Sequence, residues 1–335
     1  MTRKICVLGG GAMGTGCALV LAEKPDHDVT LFSRDPGRNA ELERTRENHR
    51  YLPGVSLPPR LKLSADAAVA LAGADLIVAA IPTSFLRTSL TELKPYIGAT
   101  VPVVSVIKGI ENETFRRPSE IITEQLGTRP VATLCGPSHA EEFSRRLPCS
   151  VVVAGEDSAF LQSLQQSFTT DRFRVYTNRD LIGVELSGAL KNVVAIAAGI
   201  SDGLKYGDNA KAALLSRGIV EMTRMGLALG ADSDTFVGLA GIGDLITTCC
   251  SGYGRNRRVG EQIGEGKTLA EAVATIHGVP EGVTTCRSVY NLAQRLGIDM
   301  PICFEVYRVL FEGKSPISAT DALMNRPPRS EARIS

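Results

Sequence analysis

Hydrophobic residues in the first half of the chain form short β-rich runs that alternate with segments of helical length. Two of these runs, Leu76–Ile81 and Val151–Val153, are apolar throughout, as strands are in a sheet that helices cover on both faces. The pattern predicts strands at Lys4–Leu8, Asp28–Phe32, Asp75–Ile81, Pro102–Ile107, Val131–Cys135 and Cys149–Ala154. Helices are predicted at about residues 12–24, 36–49, 64–72, 84–95, 118–127 and 157–168. Such alternation is typical of a parallel, doubly wound α/β sheet.

The pattern changes after about residue 180, where strand-like runs disappear. Long segments compatible with helices follow at Val184–Ile200, Ala210–Leu229, Thr268–His277 and Thr284–Leu296. We therefore predict an α/β domain at residues 1–183 and an all-α domain at residues 184–325. The tail at 326–335 is polar and contains two prolines, so we expect it to fray.

Composition and charge narrow the possible classes of function. The length of 335 residues suits two domains, and 37 basic against 36 acidic residues leave a net charge of +1. This balance disfavours a nucleic-acid partner, and an aromatic content of 5% without tryptophan offers few stacking platforms. No uncharged apolar stretch of about 18 residues is present, so no membrane span is expected.

The cysteines and histidines point away from metal chemistry and from export. The eight cysteines include no CxxC pair and the four histidines are scattered, so we predict neither a metal site nor a disulfide scaffold. Free cysteines in apolar stretches fit a reducing compartment. The first apolar run, Ile5–Leu8, leads directly into a glycine-rich loop and leaves no room for a signal peptide. We therefore expect a cytoplasmic protein.

A glycine loop follows the first predicted strand. Gly9, Gly11 and Gly14 form a GxGxxG motif between this strand and a predicted helix, the context that dinucleotide binding requires. The first glycine permits a tight turn, the second lets the backbone approach a pyrophosphate, and the third lets helix and sheet pack closely. The helix N-terminus adds N–H donors and partial positive charge. Residues 1–183 are thus predicted to form a Rossmann-like dinucleotide-binding domain, the alternative being a simple glycine-rich turn.

The end of the second strand bears on the choice of cofactor. Ser33 and Arg34 stand where an acidic residue would hydrogen-bond the ribose 2′-hydroxyl of NAD. A hydroxyl and a guanidinium suit a 2′-phosphate, so we expect NADP to be preferred over NAD. The alternative is that Arg34 is a solvated surface residue and that Asp35 meets the ribose.

Lys191 is the only charged residue in an apolar segment of the second domain, Leu186–Ser201. A helix that is apolar all round is expected to be buried, and a buried ammonium needs partners or a lowered pKa. Such a lysine suits general acid–base chemistry on a carbonyl–alcohol pair. The residues alone leave equally open a lysine that reaches the surface from a core helix.

Two further segments of the second domain carry candidate chemistry. Asp244 stands among apolar neighbours after closely spaced glycines, where it either orients Lys191 and substrate hydroxyls or caps the following helix. Gly254, Arg255 and Asn256 combine a glycine, a guanidinium and an amide ahead of a helical stretch, as in a phosphate site. The alternative for this second segment is a solvated basic face.

Taken in order, these segments resemble the bacterial NAD(P)-dependent glycerol-3-phosphate dehydrogenases over about residues 4–315. The collinear motifs are Gly9–Gly14, Tyr51–Val55, Lys108–Glu111, Gly136–Ala140, Leu190–Val193, Gly241–Leu245 and Arg255–Arg257. The resemblance implies reversible hydride transfer between NAD(P)H and dihydroxyacetone phosphate, giving sn-glycerol 3-phosphate for glycerophospholipid synthesis. It further implies a small phosphorylated substrate, a homodimer, and substrate binding and catalysis by residues 184–325.

The resemblance also implies the roles of individual residues. Lys191 would exchange a proton with the C2 oxygen of the substrate, Lys108 would help to polarise the carbonyl, and Asp244 would hold Lys191 and a substrate hydroxyl. The substrate-binding residues that it implies are Lys108, Gly136, Ser138, Lys191, Asp244, Gly254, Arg255 and Asn256. The cofactor-binding residues that it implies are Gly9, Gly11, Ala12, Met13, Gly14, Ser33, Arg34, Lys108, Ala140, Arg255, Val279 and Glu281.

Two positions depart from the family's pattern, and two other functions remain compatible with the glycine loop. Gly254 stands where many relatives have Ser, which would remove one phosphate-binding hydroxyl, and His139 stands where Phe is usual. A reductase of ketopantoate or of a β-hydroxyacid would share the loop and the helical lysine, but it would not predict Lys108–Gly109 or Arg255–Asn256. A non-catalytic NADPH-sensing module would need only the nucleotide site and could dispense with the lysine.

Overall fold

The computed structural model describes residues 2–328 and 331 of the chain. The chain divides into a first compact unit, Met1–Ile107 with Arg117–Leu181, and a second, Lys108–Arg116 with Ile182–Ser335. Of the predicted tail at 326–335, residues 329–330 and 332–335 lie outside the described residues.

The first unit contains all the strands found among the described residues. They are β1 (Arg3–Leu8), β2 (His27–Phe32), β3 (Glu47–Asn48), β4 (Leu52–Ser56), β5 (Lys62–Ser64), β6 (Leu76–Ala79), β7 (Val103–Ser105), β8 (Val131–Cys135), β9 (Cys149–Gly155) and β10 (Phe173–Asn178). Eight of them form one sheet in the order β10-β9-β8-β7-β6-β1-β2-β5, and β3 and β4 pair separately as an antiparallel ribbon. Neighbours in the large sheet are parallel except β8 and β9, which are antiparallel.

Helices cover this sheet because its strands are apolar on both faces. Strands β6 and β7 are buried along their whole length. The helices of this unit are α1 (Ala12–Ala22), α2 (Pro36–Thr45), α3 (Ala67–Leu71), α4 (Thr83–Leu93), α5 (Pro118–Leu126), α6 (Ala140–Phe143) and α7 (Ser158–Phe168). Asp35, Asp66 and Asp157 cap α2, α3 and α7 by accepting hydrogen bonds from backbone N–H groups that a helix leaves unpaired.

The second unit is all-α among the described residues. Its helices are α8 (Leu181–Gly203), α9 (Gly207–Ala228), α10 (Ser233–Phe236), α11 (Asp244–Cys250), α12 (Arg255–Gly264), α13 (Leu269–Ala274), α14 (Glu281–Leu296), α15 (Pro301–Phe311) and α16 (Pro316–Met324). A π turn, Leu239–Gly243, leads directly into α11. Helix α8 is the centre of the core, with nearly every residue from Gly183 to Ser201 buried.

The length and composition of α8 would also allow it to cross a membrane. Among the described residues, α8 is the only single helix that is long and apolar enough to do so. The bent pair Ser233–Cys250 with Arg255–Gly264 would be a second candidate if the two segments were taken as one span. In the structure, 89% of the apolar window of α8 is buried inside the protein. The helix is therefore accounted for as a core element.

The structure confirms the predicted α/β sheet followed by an all-α half. The six predicted strands are present, although β6 and β7 are shorter than expected, and the predicted helices appear within a few residues of their expected bounds. Strands β5 and β10 and the β3–β4 ribbon were not predicted. The short helices α6 and α10 and the last two helices, α15 and α16, were not predicted either, whereas α11 and α12 lie where the helical stretches near Asp244 and after Asn256 were expected. The sheet is not wholly parallel as predicted, because β9 runs antiparallel to β8.

Candidate active site

The loop between β1 and α1 has the geometry of a phosphate cradle. Gly9 has a φ of +119°, in the left-handed region, and a Cβ there would lie 2.6 Å from the carbonyl oxygen of Ala80. A Cβ on Gly14 would lie 1.9 Å from the Gly9 oxygen, so the helix can approach the strand only without a side chain. A Cβ on Gly11 would meet nothing within 4 Å, so the space beside this residue is open. Gly11 is the N-cap of α1 and, having no side chain, makes no capping hydrogen bond to the helix. The first N–H groups of α1, which begins with Ala12 and Met13, are thus arranged as pyrophosphate binding requires.

The carbonyl of Gly10 fixes this loop to the rest of the first unit. Asn48 Nδ2 donates to the Gly10 oxygen at 3.1 Å and to Thr15 Oγ1 at 2.8 Å. The guanidinium of Arg38 donates to the same carbonyl and lies 4.2 Å over the ring of Tyr51. Sequence reasoning missed Asn48 and Arg38, since Asn48 belongs to the unpredicted ribbon and neither residue is part of the glycine motif.

The residues after β2 are divided between the interior and solvent. Ser33 is buried, whereas Arg34 is exposed. Asp35 Oδ1 accepts a hydrogen bond from the backbone N–H of Arg38 at 3.1 Å, so this carboxylate caps α2. Arg50 lies 5.3 Å from the centre of the Tyr51 ring, on which Arg38 also packs. The carboxylate of Asp35 is thus engaged as a helix cap, whereas Arg34 and Arg50 are exposed.

The residues after β8 form a tight turn at the same edge of the sheet, because β1, β2 and β8 run parallel. Gly136 has a φ of +132°, and a Cβ there would lie 3.0 Å from Cα of Val151. Ser138 is buried, and its Oγ donates to the Gly136 oxygen at 2.8 Å. Ala140 is buried at the start of α6. The carboxyl edge of a parallel sheet is where α/β domains bind their ligands.

In the second unit, Asp244 bridges two lysines. Its Oδ1 lies 2.6 Å from Lys191 Nζ, and its Oδ2 lies 2.8 Å from Lys108 Nζ. Lys191 is 4% exposed and Asp244 is 1% exposed, so Lys191 does not reach the surface from its helix. Burial by itself raises the pKa of the Asp244 carboxyl, but the two ammonium groups outweigh burial, and the pKa lies below its ordinary value. Asp244 is therefore ionised, and the cluster has one more amine than it has carboxylates.

The backbone before Asp244 explains where its carboxylate points. The π turn brings Gly241 so close to Phe236 that a Cβ would lie 2.0 Å from the Phe236 carbonyl oxygen. Asp244 is the first residue of α11, and the N-cap position belongs to Gly243. Both carboxylate oxygens are bound by lysines, which favours the first of the two alternatives that the sequence left open. A π turn next to a functional residue is a common arrangement.

Two residues that sequence reasoning missed complete the lysine cluster. Thr248 Oγ1 accepts a hydrogen bond from Lys191 Nζ at 2.5 Å, and Asn192 Nδ2 donates to the backbone oxygen of Lys108 at 3.2 Å. Thr248 follows Asp244 by four residues on α11, and this spacing, which places both on one helix face, was the available signal. Burial raises the pKa of the neighbouring Cys249 thiol to about 12, so this thiol stays protonated and is not a nucleophile.

The start of α12 is arranged like an anion site. Gly254 is its N-cap and supplies no side-chain hydrogen bond, which leaves the first N–H groups of the helix uncapped by that residue. Asn256 is buried, and its Oδ1 accepts from the backbone N–H of Gly282 at 3.0 Å, so the amide NH₂ is directed away from α14. A Cβ on Gly254 would lie 2.6 Å from the Thr248 oxygen, which accounts for glycine at this position.

The other residues of this segment differ in their surroundings. Arg255 is exposed, and its Nη1 lies 2.8 Å from where a Cβ on Gly278 would be. The half-buried Val279 and Glu281 belong to the same Gly278–Gly282 segment. Arg257 is engaged elsewhere, in ion pairs with Asp202 at 3.3 Å and Glu261 at 2.8 Å. The basic cluster is thus not one uniform solvated face.

The structure places the candidate residues in two groups, one in each unit. The first unit holds the glycine loop with Ser33, Arg34, Gly136, Ser138 and Ala140. The second unit holds the bonded cluster of Lys108, Lys191 and Asp244, together with Arg255, Asn256 and the Gly278–Gly282 segment. Among residues 2–328 and 331, no group of three or more His, Cys, Asp or Glu side chains is placed to hold a metal ion.

Two family models match the chain. Residues 4–161 match the model of the N-terminus of NAD-dependent glycerol-3-phosphate dehydrogenase, and residues 180–321 match the model of its C-terminus. Together these matches cover most of the chain.

Individual relatives give the same result. The glycerol-3-phosphate dehydrogenase [NAD(P)+] of Chlorobium phaeobacteroides is 46% identical over 331 residues, covering 98% of this chain and 99% of the relative. The enzyme of the same name from Geobacillus thermodenitrificans is 47% identical, with 98% and 96% covered. The crystal structure of glycerol-3-phosphate dehydrogenase from Coxiella burnetii superposes with a TM-score of 0.94 at 40% identity, covering 97% of this chain and 99% of that one.

Proposed function

The chain belongs to the NAD-dependent glycerol-3-phosphate dehydrogenase family, and on this premise we propose how its residues perform that reaction. The protein is an NAD(P)-dependent oxidoreductase that interconverts dihydroxyacetone phosphate and sn-glycerol 3-phosphate. The proposal rests above all on one observation, the buried cluster in which Asp244 bridges Lys191 and Lys108. We expect the sn-glycerol 3-phosphate to serve glycerophospholipid synthesis.

A dinucleotide held by the glycine loop would supply the hydride for the C2 carbon of the ketone, and the chain must supply a proton to the C2 oxygen. Lys191 gives this proton during reduction and accepts it during oxidation, as a general acid–base group. Its burial beside an ionised carboxylate keeps the amine in one place and limits access of water. Lys108 adds a second cation, which stabilises the negative charge that develops on the oxygen.

Asp244 is the positioning residue that joins the two amines. Its carboxylate accepts from Lys191 on one oxygen and from Lys108 on the other. The hydroxyl of Thr248 gives the Lys191 amine a second fixed contact. Held in this way, Lys191 loses little entropy when the substrate arrives, and such fixed orientation is a major source of rate enhancement.

The substrate phosphate binds at the start of α12 in this proposal. Arg255 supplies a guanidinium, Asn256 supplies an amide whose orientation the Gly282 N–H fixes, and the helix N-terminus supplies backbone donors. Gly254 takes part through its backbone only. Gly136 and Ser138 of the first unit complete the set of substrate-binding residues.

The first unit binds the dinucleotide. Gly9, Gly11, Ala12, Met13 and Gly14 form the pyrophosphate cradle, because an open glycine and uncapped N–H groups meet there. Further cofactor contacts are proposed for Ser33, Arg34, Lys108, Ala140, Arg255, Val279 and Glu281. NADP is preferred over NAD, since Asp35 is used as a helix cap and exposed Arg34 is available to a 2′-phosphate.

The remaining expectations concern the whole protein. We propose that residues 1–183 act as the cofactor domain and residues 184–325 as the catalytic domain. We also propose a cytoplasmic location, which is supported by eight free cysteines, of which six are buried. A homodimer is expected from the resemblance of the chain to its family.

The decisive assay compares substrates. Oxidation of NADPH is measured with dihydroxyacetone phosphate and, separately, with ketopantoate. We expect turnover with dihydroxyacetone phosphate alone, and turnover with ketopantoate alone would overturn the proposal. Tight NADPH binding without turnover of either ketone would favour a cofactor-sensing module instead.

A further inference from the structure

Helices α8 and α12 touch backbone to backbone through two glycines on each. On α8, a Cβ at Gly199 would lie 1.9 Å from the Arg257 oxygen, and a Cβ at Gly203 would lie 2.2 Å from the Glu261 oxygen. These distances are far below ordinary contact, which begins at 3.4 Å. No side chain larger than hydrogen fits at either position unless the helices move apart.

The partner glycines on α12 make the contact reciprocal. A Cβ at Gly260 would lie 2.0 Å from the Ile196 oxygen, and a Cβ at Gly264 would lie 2.5 Å from the Ile200 oxygen. On both helices the two glycines are four residues apart and thus share one face. We call this set of four glycines, Gly199, Gly203, Gly260 and Gly264, the glycine interlock. The facing residues rise together in number, so the two helices run in the same direction.

Both helices carry proposed site residues about one or two turns ahead of the interlock. Lys191 precedes Gly199 by eight residues, or about 12 Å along α8. Asn256 precedes Gly260 by four residues, or about one turn of α12. At the site end α14 packs against both helices, since a Cβ on Gly282 of α14 would lie 2.7 Å from the Asn192 oxygen of α8 and 2.8 Å from Asn256 Oδ1 of α12. The spacing of the helices therefore sets the spacing of Lys191 from Asn256.

An ion pair beside the interlock holds the same two helices. Asp202 of α8 lies 3.3 Å from Arg257 Nε of α12, and its other oxygen lies 2.6 Å from Lys211 Nζ. Arg257 is thus turned away from the proposed phosphate site by partners on α8 and on its own helix. The glycine contacts and this ion pair therefore both hold α8 and α12 at the same distance from each other.

We propose that the glycine interlock determines substrate specificity by fixing the distance between the proton donor Lys191 and the phosphate grip at Arg255 and Asn256. This distance selects a ketone whose reacting carbon lies a set number of bonds from its phosphate. The inference rests on the proposed function, because it takes Lys191 as the donor and the start of α12 as the phosphate site. The four glycines are positioning residues and touch neither substrate nor cofactor.

Gly260→Ala and Gly264→Ala test the proposal by forcing the helices apart. A misplacement of about 1 Å can cost a reaction about 100-fold, so we expect kcat/KM for dihydroxyacetone phosphate to fall by about that factor in Gly260→Ala. The loss is smaller in Gly264→Ala, where the methyl group meets less crowding. Dihydroxyacetone, which lacks the phosphate, does not use the grip, so its kcat/KM stays within about threefold of wild type.

Gly37→Ala is the matched control, since it adds the same methyl group to a helix where the nearest atom lies 3.5 Å away. Asp202→Asn tests the same spacing without added volume and covers the case in which a glycine variant does not fold. We expect it to show the same selective loss in a milder form. Equal losses with both ketones, or no loss with either, would overturn the proposal. Wild-type enzyme without any preference for the phosphorylated ketone would instead contradict the proposed function.

Discussion

Replacing Asp244 with Asn keeps the shape of the side chain and removes a negative charge that pairs with both Lys191 and Lys108. The amide also turns a donor toward one of two amines that are themselves donors. Asp244 is 1% exposed, so water cannot take over the role of the lost oxygen. Removing one partner of a buried ion pair typically costs about 3–5 kcal/mol, because the remaining charge is left uncompensated.

The enzyme can reduce this cost by releasing a proton from an amine, and this release defines the expected result. Reduction of the ketone needs a proton on Lys191, so activity at neutral pH falls. If about 3 kcal/mol of support for the protonated amine is missing in the transition state, kcat/KM falls about 100-fold. Lower pH favours the protonated amine and should restore part of the lost activity. The variant is therefore expected to work best at a lower pH than wild type.

The assay is NADPH oxidation with dihydroxyacetone phosphate over a series of pH values, together with NADPH binding by fluorescence. Binding of NADPH should persist, because Asp244 is not among the proposed cofactor-binding residues. Asp234→Asn is the control, since Asp234 is an exposed carboxylate on α10. An Asp244→Asn enzyme with the wild-type rate and the wild-type pH profile would refute the reasoning.

Three further predictions follow from individual contacts. Thr248→Val removes the hydroxyl that Lys191 binds at 2.5 Å and should lower kcat about fivefold to tenfold, whereas an unchanged kcat would show that the contact has no catalytic weight. Arg34→Ala should weaken NADPH binding more than NADH binding, and equal effects on the two cofactors would contradict recognition of a 2′-phosphate. Asn48→Ala, which removes a hydrogen bond to the Gly10 carbonyl, should weaken the binding of both cofactors alike. Burial raises the pKa of Glu221 from 4.5 to about 7, against hydrogen bonds from Ile302 and Cys303, so its contribution to stability is present below pH 4.5 and is lost as the pH rises through 7. Glu221→Gln should flatten this dependence by up to about 3 kcal/mol in urea titrations, and an unchanged slope would rule the residue out as its source.

The fold was predictable where hydrophobic pattern and turn chemistry agreed. Strand β1, the glycine loop and α1 follow from local rules, and so do the long buried helices such as α8. Strand β5 has only three residues, and the β3–β4 ribbon is short and partly exposed, so neither gives a strong period of two. The reversal of β9 depends on pairing between distant parts of the chain, and no local pattern encodes it.

The candidate site was predictable as a set of residue types and less so as a set of contacts. The lone charge of Lys191 in an apolar helix indicated chemistry, but its bond to Thr248 depends on how α8 and α11 pack. The Gly10 anchor through Arg38 and Asn48 depends on the unpredicted ribbon. The four interlocking glycines are visible as pairs spaced by four residues, yet only the packing shows that the pairs face each other.

The proton-transfer role of Lys191 is tested most directly by Lys191→Met, with the exposed Lys205→Met just beyond the same helix as its control. Single-turnover oxidation of bound NADPH is followed after mixing with dihydroxyacetone phosphate. The account predicts that the Lys191→Met substitution abolishes the step while NADPH binding persists, and that the control retains the wild-type rate. Hydride transfer at the wild-type rate in Lys191→Met would contradict it.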